Sequence, residues 1–186
     1  MPDNAPTDNS LGGAPRMSVF PNPEHDHSLC SDRIVRVAHT ICRRRGVRLT
    51  SQRERVLDVL AQGHRPMGAY EIMDVMAGDG KRPAPITVYR ALDFLIAQGL
   101  VHRIESRNAF IACIDGEARH DTVVFLICRD CGNVGESIAE GVGVAIDTVA
   151  KASGFRPDLT VIEIDGLCQH CAARADDGEA PKPTMQ

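Results

Sequence analysis

Seven cysteines are spread over 186 residues, and four of them stand in two identical spacings, Cys128-Arg-Asp-Cys131 and Cys168-Gln-His-Cys171. A two-residue gap lets both thiolates of a pair bend back onto one cation, and two such pairs supply the four sulfurs of a tetrahedral Zn²⁺ site. Zinc has neither a d-electron geometric preference nor redox chemistry of its own, so the expected role of Cys128, Cys131, Cys168 and Cys171 is structural. Disulfides or a Cys-x-x-Cys redox motif are the competing readings. Two matched pairs in one small chain favour metal, where a single pair would be a weak signal. The 36 residues between the pairs exceed a minimal zinc-ribbon loop and leave room for a strand, a helix and a strand.

A second group of potential ligands stands between the helical and the cysteine-rich parts: His102, Cys113, His120 and Glu136. This mixture of nitrogen, sulfur and oxygen donors suits Zn²⁺. Each residue also has an ordinary reading. His102 shares a strand face with Leu100 and Ile104 and fits a hydrogen-bonded core histidine; His120 and Glu136 fit a surface; Cys113 fits a gap in the core. Composition alone does not assemble the four. A catalytic zinc site is a further alternative, but four protein ligands leave no position for water, and no separate general base stands out. His25-Asp26-His27 lacks a fourth ligand and lies in an irregular tail, so it is left outside the site. Cys42 falls on an apolar helical stripe, where a lone cysteine behaves as a small hydrophobe.

The elements that must position these groups follow from periodicity. Residues 1–31 and 175–186 are rich in Pro, Asn, Asp and Gly without apolar rhythm and are expected to be disordered. A helix is expected from Asp32, with Ile34, Val37, Ala38 and Ile41 in line and Gly46 ending it. A second starts after Thr50 or Ser51, either of which can cap, and buries Val56, Leu57 and Leu60. A third covers about Ala69 to Ala77. A fourth, introduced by Pro83 and Pro85, runs from about Ala84 to Gln98 with Gly99 as its C-cap. Its Val88, Leu92 and Leu95 face a core, which leaves Thr87, Tyr89 and Arg90 on the polar side as groups able to read bases and phosphates. Tyr70, at the start of the third helix, is a further candidate for DNA contact, with packing against the neighbouring helix as its alternative. Leu100–Ile104 and Ala109–Cys113 read as two short strands joined at Ser106-Arg107-Asn108. Helices followed by such a hairpin make a winged helix-turn-helix, with the fourth helix entering the major groove.

Beyond residue 122 the period changes. Val123–Cys128, Val134–Ile138 and Leu159–Ile164 read as strands and Ala139–Ser153 as a helix. The fold class is therefore mixed α/β, of the α+β kind. A winged-helix DNA-binding domain (32–113), a hinge (114–122) and a small dimerisation and zinc-binding domain (123–174) are expected. A sheet of this size buries little surface alone, which favours both a zinc staple and a homodimer.

The net charge of −4 conceals an asymmetry. Residues 33–107 carry fourteen Lys/Arg against seven acids, while residues 1–32 carry one against five and residues 108–186 six against thirteen. A basic module beside an acidic one suits a polyanion partner, although charge alone is a weak guide. No apolar run is long enough to span a bilayer, and the N-terminus has no basic or apolar signal region. A cytoplasmic chain without a membrane partner is expected.

The segments ICRRRGVRLTSQRERVLDVL, ITVYRALDFLIAQGLVHRIES, FLICRDCG and GLCQHC closely resemble the ferric uptake regulator superfamily, and within it the zinc uptake regulator branch, over residues about 33–173. That resemblance implies a regulatory site built from the wing histidine His102, then Cys113, the connector histidine His120, and Glu136 just past the first Cys-x-x-Cys. It implies two zinc ions per chain, one structural and one regulatory. It further implies a dimeric repressor that, when zinc-loaded, binds A·T-rich palindromic operators of zinc uptake genes in double-stranded DNA. The iron and peroxide branches typically carry a His-rich connector, whereas this one has His120 alone, and the soft ligand Cys113 prefers zinc. An iron or peroxide sensor is the alternative within the superfamily; a zinc-binding protein adaptor is the alternative outside it. Ser51 departs from the proline usual in relatives and touches no ligand.

Overall fold

The computed structural model describes residues 19–20, 27–78, 80–113, 123–138, 140–158 and 160–177. Four helices come first: α1 (His27–Arg44), α2 (Ser51–Ala61), α3 (Ala69–Ala77) and α4 (Pro85–Ala97). Their apolar stripes converge on one core, in which Ile34, Ala38, Ile41, Val56, Leu57, Ile72, Met73, Val88, Leu92 and Leu95 are buried. Helix α1 begins at His27, five residues before the expected start at Asp32. Periodicity reports only the part of a helix that faces a core, and Ile34 is the first buried residue among those of α1 whose burial is described; the turns before it contain no Gly or Pro to stop them. Thr50 sits at the N-cap of α2 in an extended conformation, but its side chain makes no capping bond. At α3 the Glu71 carboxylate accepts the Gly68 N–H at 2.6 Å. Pro85 opens α4, and Gly99, at φ +67°, turns the chain out of it.

The hairpin of β1 (Val101–Ile104) and β2 (Ala109–Ala112) is antiparallel, with His102 opposite Ile111. A short 3₁₀ turn (Glu105–Arg107) joins the strands, and Asn108 relieves it in the left-handed region at φ 46°. The hairpin is the wing of the helix-turn-helix. Its inner face does not stop at the helical core. Ile104 and Ile111 join Val123, Phe125, Ile127 and Val134 in a second buried cluster, so the wing is packed against the following sheet.

That sheet has the order β4-β3-β5, with β3 (Val123–Cys128) central, β4 (Val134–Ile138) antiparallel to it and β5 (Val161–Gly166) parallel. A parallel neighbour requires a crossover, which α5 (Glu140–Ala152) supplies. Strand β5 is displaced from the expected Leu159–Ile164 because its register is set by pairing Val123 with Val161 and Cys128 with Gly166. Helix α6 (Gln169–Asp176) was not expected; it starts on the second cysteine pair and runs into the segment read as a disordered tail. Among the described residues no helix is long and apolar enough to cross a membrane.

Polar contacts also tie the wing turn to β5. The Glu163 carboxylate accepts the backbone N–H of Glu105 at 2.7 Å and of Ser106 at 3.0 Å, and Arg107 pairs with Asp165 at 2.7 Å. Burial alone would raise the Glu163 pKa, but the hydrogen bonds from Ser106 and Glu105 outweigh it and hold the carboxyl below its ordinary value. A depressed folded-state pKa contributes stability that is present above the unfolded value and lost as pH falls through the folded one. The stability difference between wild type and Glu163→Gln is therefore expected to be constant at neutral pH and to shrink once pH falls below about 4.5. Thermal melts of both proteins across pH 3–7 check this; a difference that grows on acidification contradicts it.

Candidate metal centres and DNA-contacting face

The parallel pairing of β3 with β5 explains how cysteines so distant in sequence meet. Cys128 is the last residue of β3 and lies opposite Gly166, so Cys168 emerges two residues beyond its register partner, beside the first pair. The four Sγ atoms of Cys128, Cys131, Cys168 and Cys171 all lie within 4.8 Å of one another. Zn–S bonds of about 2.3 Å imply tetrahedral S···S edges of about 3.8 Å, and Cys131 Sγ stands 3.9 Å from Cys168 Sγ. That separation is far from the roughly 2 Å of a disulfide, and all seven cysteines are free thiols. The donor set fits Zn²⁺.

The local backbone prepares the site for a cation. Burial alone would raise the Cys128 pKa, but N–H groups of Cys168, Cys131 and Asp130 point at its sulfur and lower it to about 6. With negative charge collected there, burial and the neighbouring sulfurs push Cys131 up to about 11 and raise Cys171 as well. Four thiolates cannot coexist at this density without a positive centre. Gly132, at φ +74°, closes the first knuckle. Helix α6 adds one group that the sequence reading missed: Arg174 donates to Cys171 Sγ at 3.2 Å and to the buried carboxylate of Asp130, in the first cysteine knuckle, at 2.7 Å. The sequence signal of Arg174 was its i, i+3 spacing from Cys171 on one helix face, visible only if α6 is foreseen.

The second cluster forms where the wing meets the sheet. His102 on β1, Cys113 just past β2 and Glu136 on β4 have ligand atoms within 4.8 Å of one another. His102 Nε2 is 3.6 Å from Glu136 Oε1, and Cys113 Sγ is 4.0 Å from the same oxygen. Those separations are a few tenths of an ångström wider than about 3.4–3.6 Å, the edges of a tetrahedron with Zn–N, Zn–O and Zn–S bonds of about 2.0–2.3 Å. The cluster is largely shielded from solvent: His102 is 21% and Glu136 15% exposed, and Cys113 is buried. The His102 ring also leans on Phe125, with centroids 5.2 Å apart, so it faces the sheet and is not a core histidine of the wing alone. Three of the four expected residues are thus brought together. His120 and the expected hinge lie outside the described residues.

Tyr89 and Arg90 project from α4 into solvent, and Thr87 is half-buried. Tyr70 is 63% exposed.

A winged helix-turn-helix docked through its wing onto a sheet, with one thiol-containing cluster at the sheet's end and another across the wing–sheet junction, is the architecture of a metal-linked DNA-binding protein. The chain belongs to the ferric uptake regulator family, whose pattern matches residues 44–164. It is 42% identical over 135 residues to the zinc uptake regulation protein of Escherichia coli (strain K12), covering 72% of this chain and 78% of that one. To the zinc uptake regulation protein of Mycobacterium tuberculosis (strain ATCC 25618 / H37Rv) it is 30% identical over 129 residues, covering 68% and 95%. Among solved structures it is similar to a zinc uptake regulator complexed with zinc and DNA, with a TM-score of 0.75 and 38% identity over 78% of this chain and 97% of that one. Holo XcZur gives a TM-score of 0.69 and 42% identity over 80% and 99%. Membership of a family of regulators removes the enzyme reading.

Proposed function

We propose that this chain is a zinc-responsive repressor that binds operators of zinc uptake genes as a homodimer when zinc-loaded. The single observation that carries the reading is that His102, Cys113 and Glu136 come from both sides of the wing–sheet junction. Cys128, Cys131, Cys168 and Cys171 hold a structural zinc; His102, Cys113, Glu136 and His120 hold a regulatory one. Bound at the second site, zinc supplies a positive centre that compensates the Cys113 thiolate and the Glu136 carboxylate in a shielded pocket. His102 fixes the wing to that pocket, and β4 fixes Glu136 to the sheet, so occupancy favours the docked arrangement of the helical domain. In a dimer, that arrangement sets the separation of two α4 helices, which must match one turn of DNA. The soft Cys113 ligand and the identity to zinc regulators favour zinc over iron or peroxide sensing.

The domain division at 32–113, 114–122 and 123–174 belongs to the same reading. The dimer surface is the open edge of β5 together with α5, where Val142, Val144, Val149, Val161 and Ile164 are exposed apolar residues. Its partner is double-stranded DNA carrying an A·T-rich palindrome, met in the cytoplasm. Tyr70, Thr87, Tyr89 and Arg90 make the contacts. Arg90→Ala is expected to weaken operator binding by about 1–3 kcal/mol without loss of zinc. Fluorescence anisotropy with operator and scrambled duplexes at fixed salt tests it; equal weakening on both reassigns Arg90 to phosphate contact. The reading as a whole is tested by metal analysis of purified protein. Two zinc ions per chain, one readily removed by chelator with loss of operator binding, is the expected result, and iron in the labile site overturns the zinc assignment.

A further inference from the structure

We propose that Val19–Phe20, in the N-terminal extension beyond the family match, is an intramolecular cover that seals the four-cysteine cluster against solvent and chelators. The proposal rests on the reading of those cysteines as zinc ligands. Three contacts on separate elements carry it. Phe20 is half-buried and packs against the cluster of Cys128, Cys131, Cys168 and Cys171. Its carbonyl oxygen lies 3.4 Å from Nε2 of His170, a residue inside the second Cys-x-x-Cys, and can only accept from that ring nitrogen. Val19 lies against Gly135 of β4: a Cβ added to Gly135 would stand 2.7 Å from the Val19 carbonyl oxygen. Strand β4 thus carries a residue without a side chain at the point where the extension crosses it.

The geometry divides the protection of the sulfurs between two groups. Arg174 lies against Cys171, while Phe20 supplies an apolar ring to the same cluster. Cys131 is the one cysteine of the four that is not fully buried, so it is where an incoming ligand gains access. Exchange of a thiolate-bound metal requires a competing ligand to reach the metal or a sulfur, and an apolar shell limits that approach. Docking of Phe20 therefore governs how fast metal leaves the site, whereas the four sulfurs govern whether it is held.

The chain contains no tryptophan, so Phe20→Trp introduces a single reporter of docking. Its emission is expected to be blue-shifted, protected from acrylamide, and quenched when Co²⁺ replaces zinc at the cysteine site. Adding Gly135→Ala to that protein should displace Val19 and return the emission toward that of an exposed indole. In the otherwise native full chain, Phe20→Ala should transfer zinc from the four-cysteine site to a chromogenic chelator about tenfold faster. Phe20→Leu should restore most of the protection, with helix content and dimer mass unchanged in both. An exposed emission from Phe20→Trp, or equal release rates in wild type and Phe20→Ala, overturns the cover. Wild type lacking tightly held zinc overturns the reading of the cysteines instead, and the emission of Phe20→Trp still decides whether the extension docks.

Discussion

If the proposed two-zinc reading holds, Cys131→Ser should lose both zinc ions, although Cys131 would be a ligand of only one. The four sulfurs join the end of β3 to the chain beyond β5, and the sheet they close buries little beyond Val123, Phe125, Ile127 and Val134 on the wing-facing side. Structural zinc contributes on the order of 10 kcal/mol to folding in small domains, which exceeds the whole stability of a typical domain, about 5–15 kcal/mol, or comes close to it. A serine hydroxyl at position 131 cannot replace a thiolate at neutral pH, so the sheet loses its staple. Glu136 sits on β4 of that same sheet, opposite Phe125. Once β4 is no longer held, the carboxylate cannot meet His102 and Cys113, and the second site empties as well. The expected protein is monomeric, zinc-free and unresponsive, while its helical core, built on separate residues, keeps its helices. Metal analysis, sedimentation and circular dichroism on one preparation check the three parts. A folded dimer with one zinc and unchanged melting would show that the cysteine cluster is not structural.

Much of this arrangement was legible because it is written in local periodicity or residue type. Val56, Leu57 and Leu60, Ile72 and Met73, and Val88, Leu92 and Leu95 repeat at helical spacing, and α2, α3 and α4 follow closely. The paired cysteines declared themselves by spacing. What was not legible depends on pairing between distant segments. The start of α1 precedes Ile34, the first of its residues described as buried, the bounds of β5 depend on its register with β3, and α6 is a short helix whose anchor is the cysteine cluster and not a hydrophobic stripe. Asp130 illustrates the point. It is buried because Arg174, 44 residues later, returns to it at 2.7 Å. The second cluster was reached through resemblance, since nothing in the spacing of His102, Cys113 and Glu136 states that the wing folds onto β4.

Cys113→Ser should separate the switch from the scaffold. Cys113 ends the wing hairpin, its N–H donates to Leu100 O at 3.0 Å, and its sulfur faces Glu136. Serine preserves that backbone bond and nearly the same volume but cannot offer a thiolate, so the fold should survive while the regulatory site loses its softest donor. The structural cluster shares no residue with it. The expected protein is a dimer with one zinc per chain in place of two, melting close to wild type. With one zinc per chain, the wing is still joined to the sheet by Ile104, Ile111 and the Glu163 contacts, but nothing adds to that docking when zinc rises. Operator affinity should therefore remain at the level of zinc-depleted wild type at all buffered zinc concentrations. The difference at high zinc should be about 1–3 kcal/mol, or roughly 5- to 150-fold in Kd. Titrating operator with both proteins at fixed salt, under low and high buffered zinc, gives four affinities. Three should coincide and zinc-replete wild type should stand apart. A Cys113→Ser protein that tightens on DNA over the same zinc range as wild type would place the switch elsewhere in the molecule.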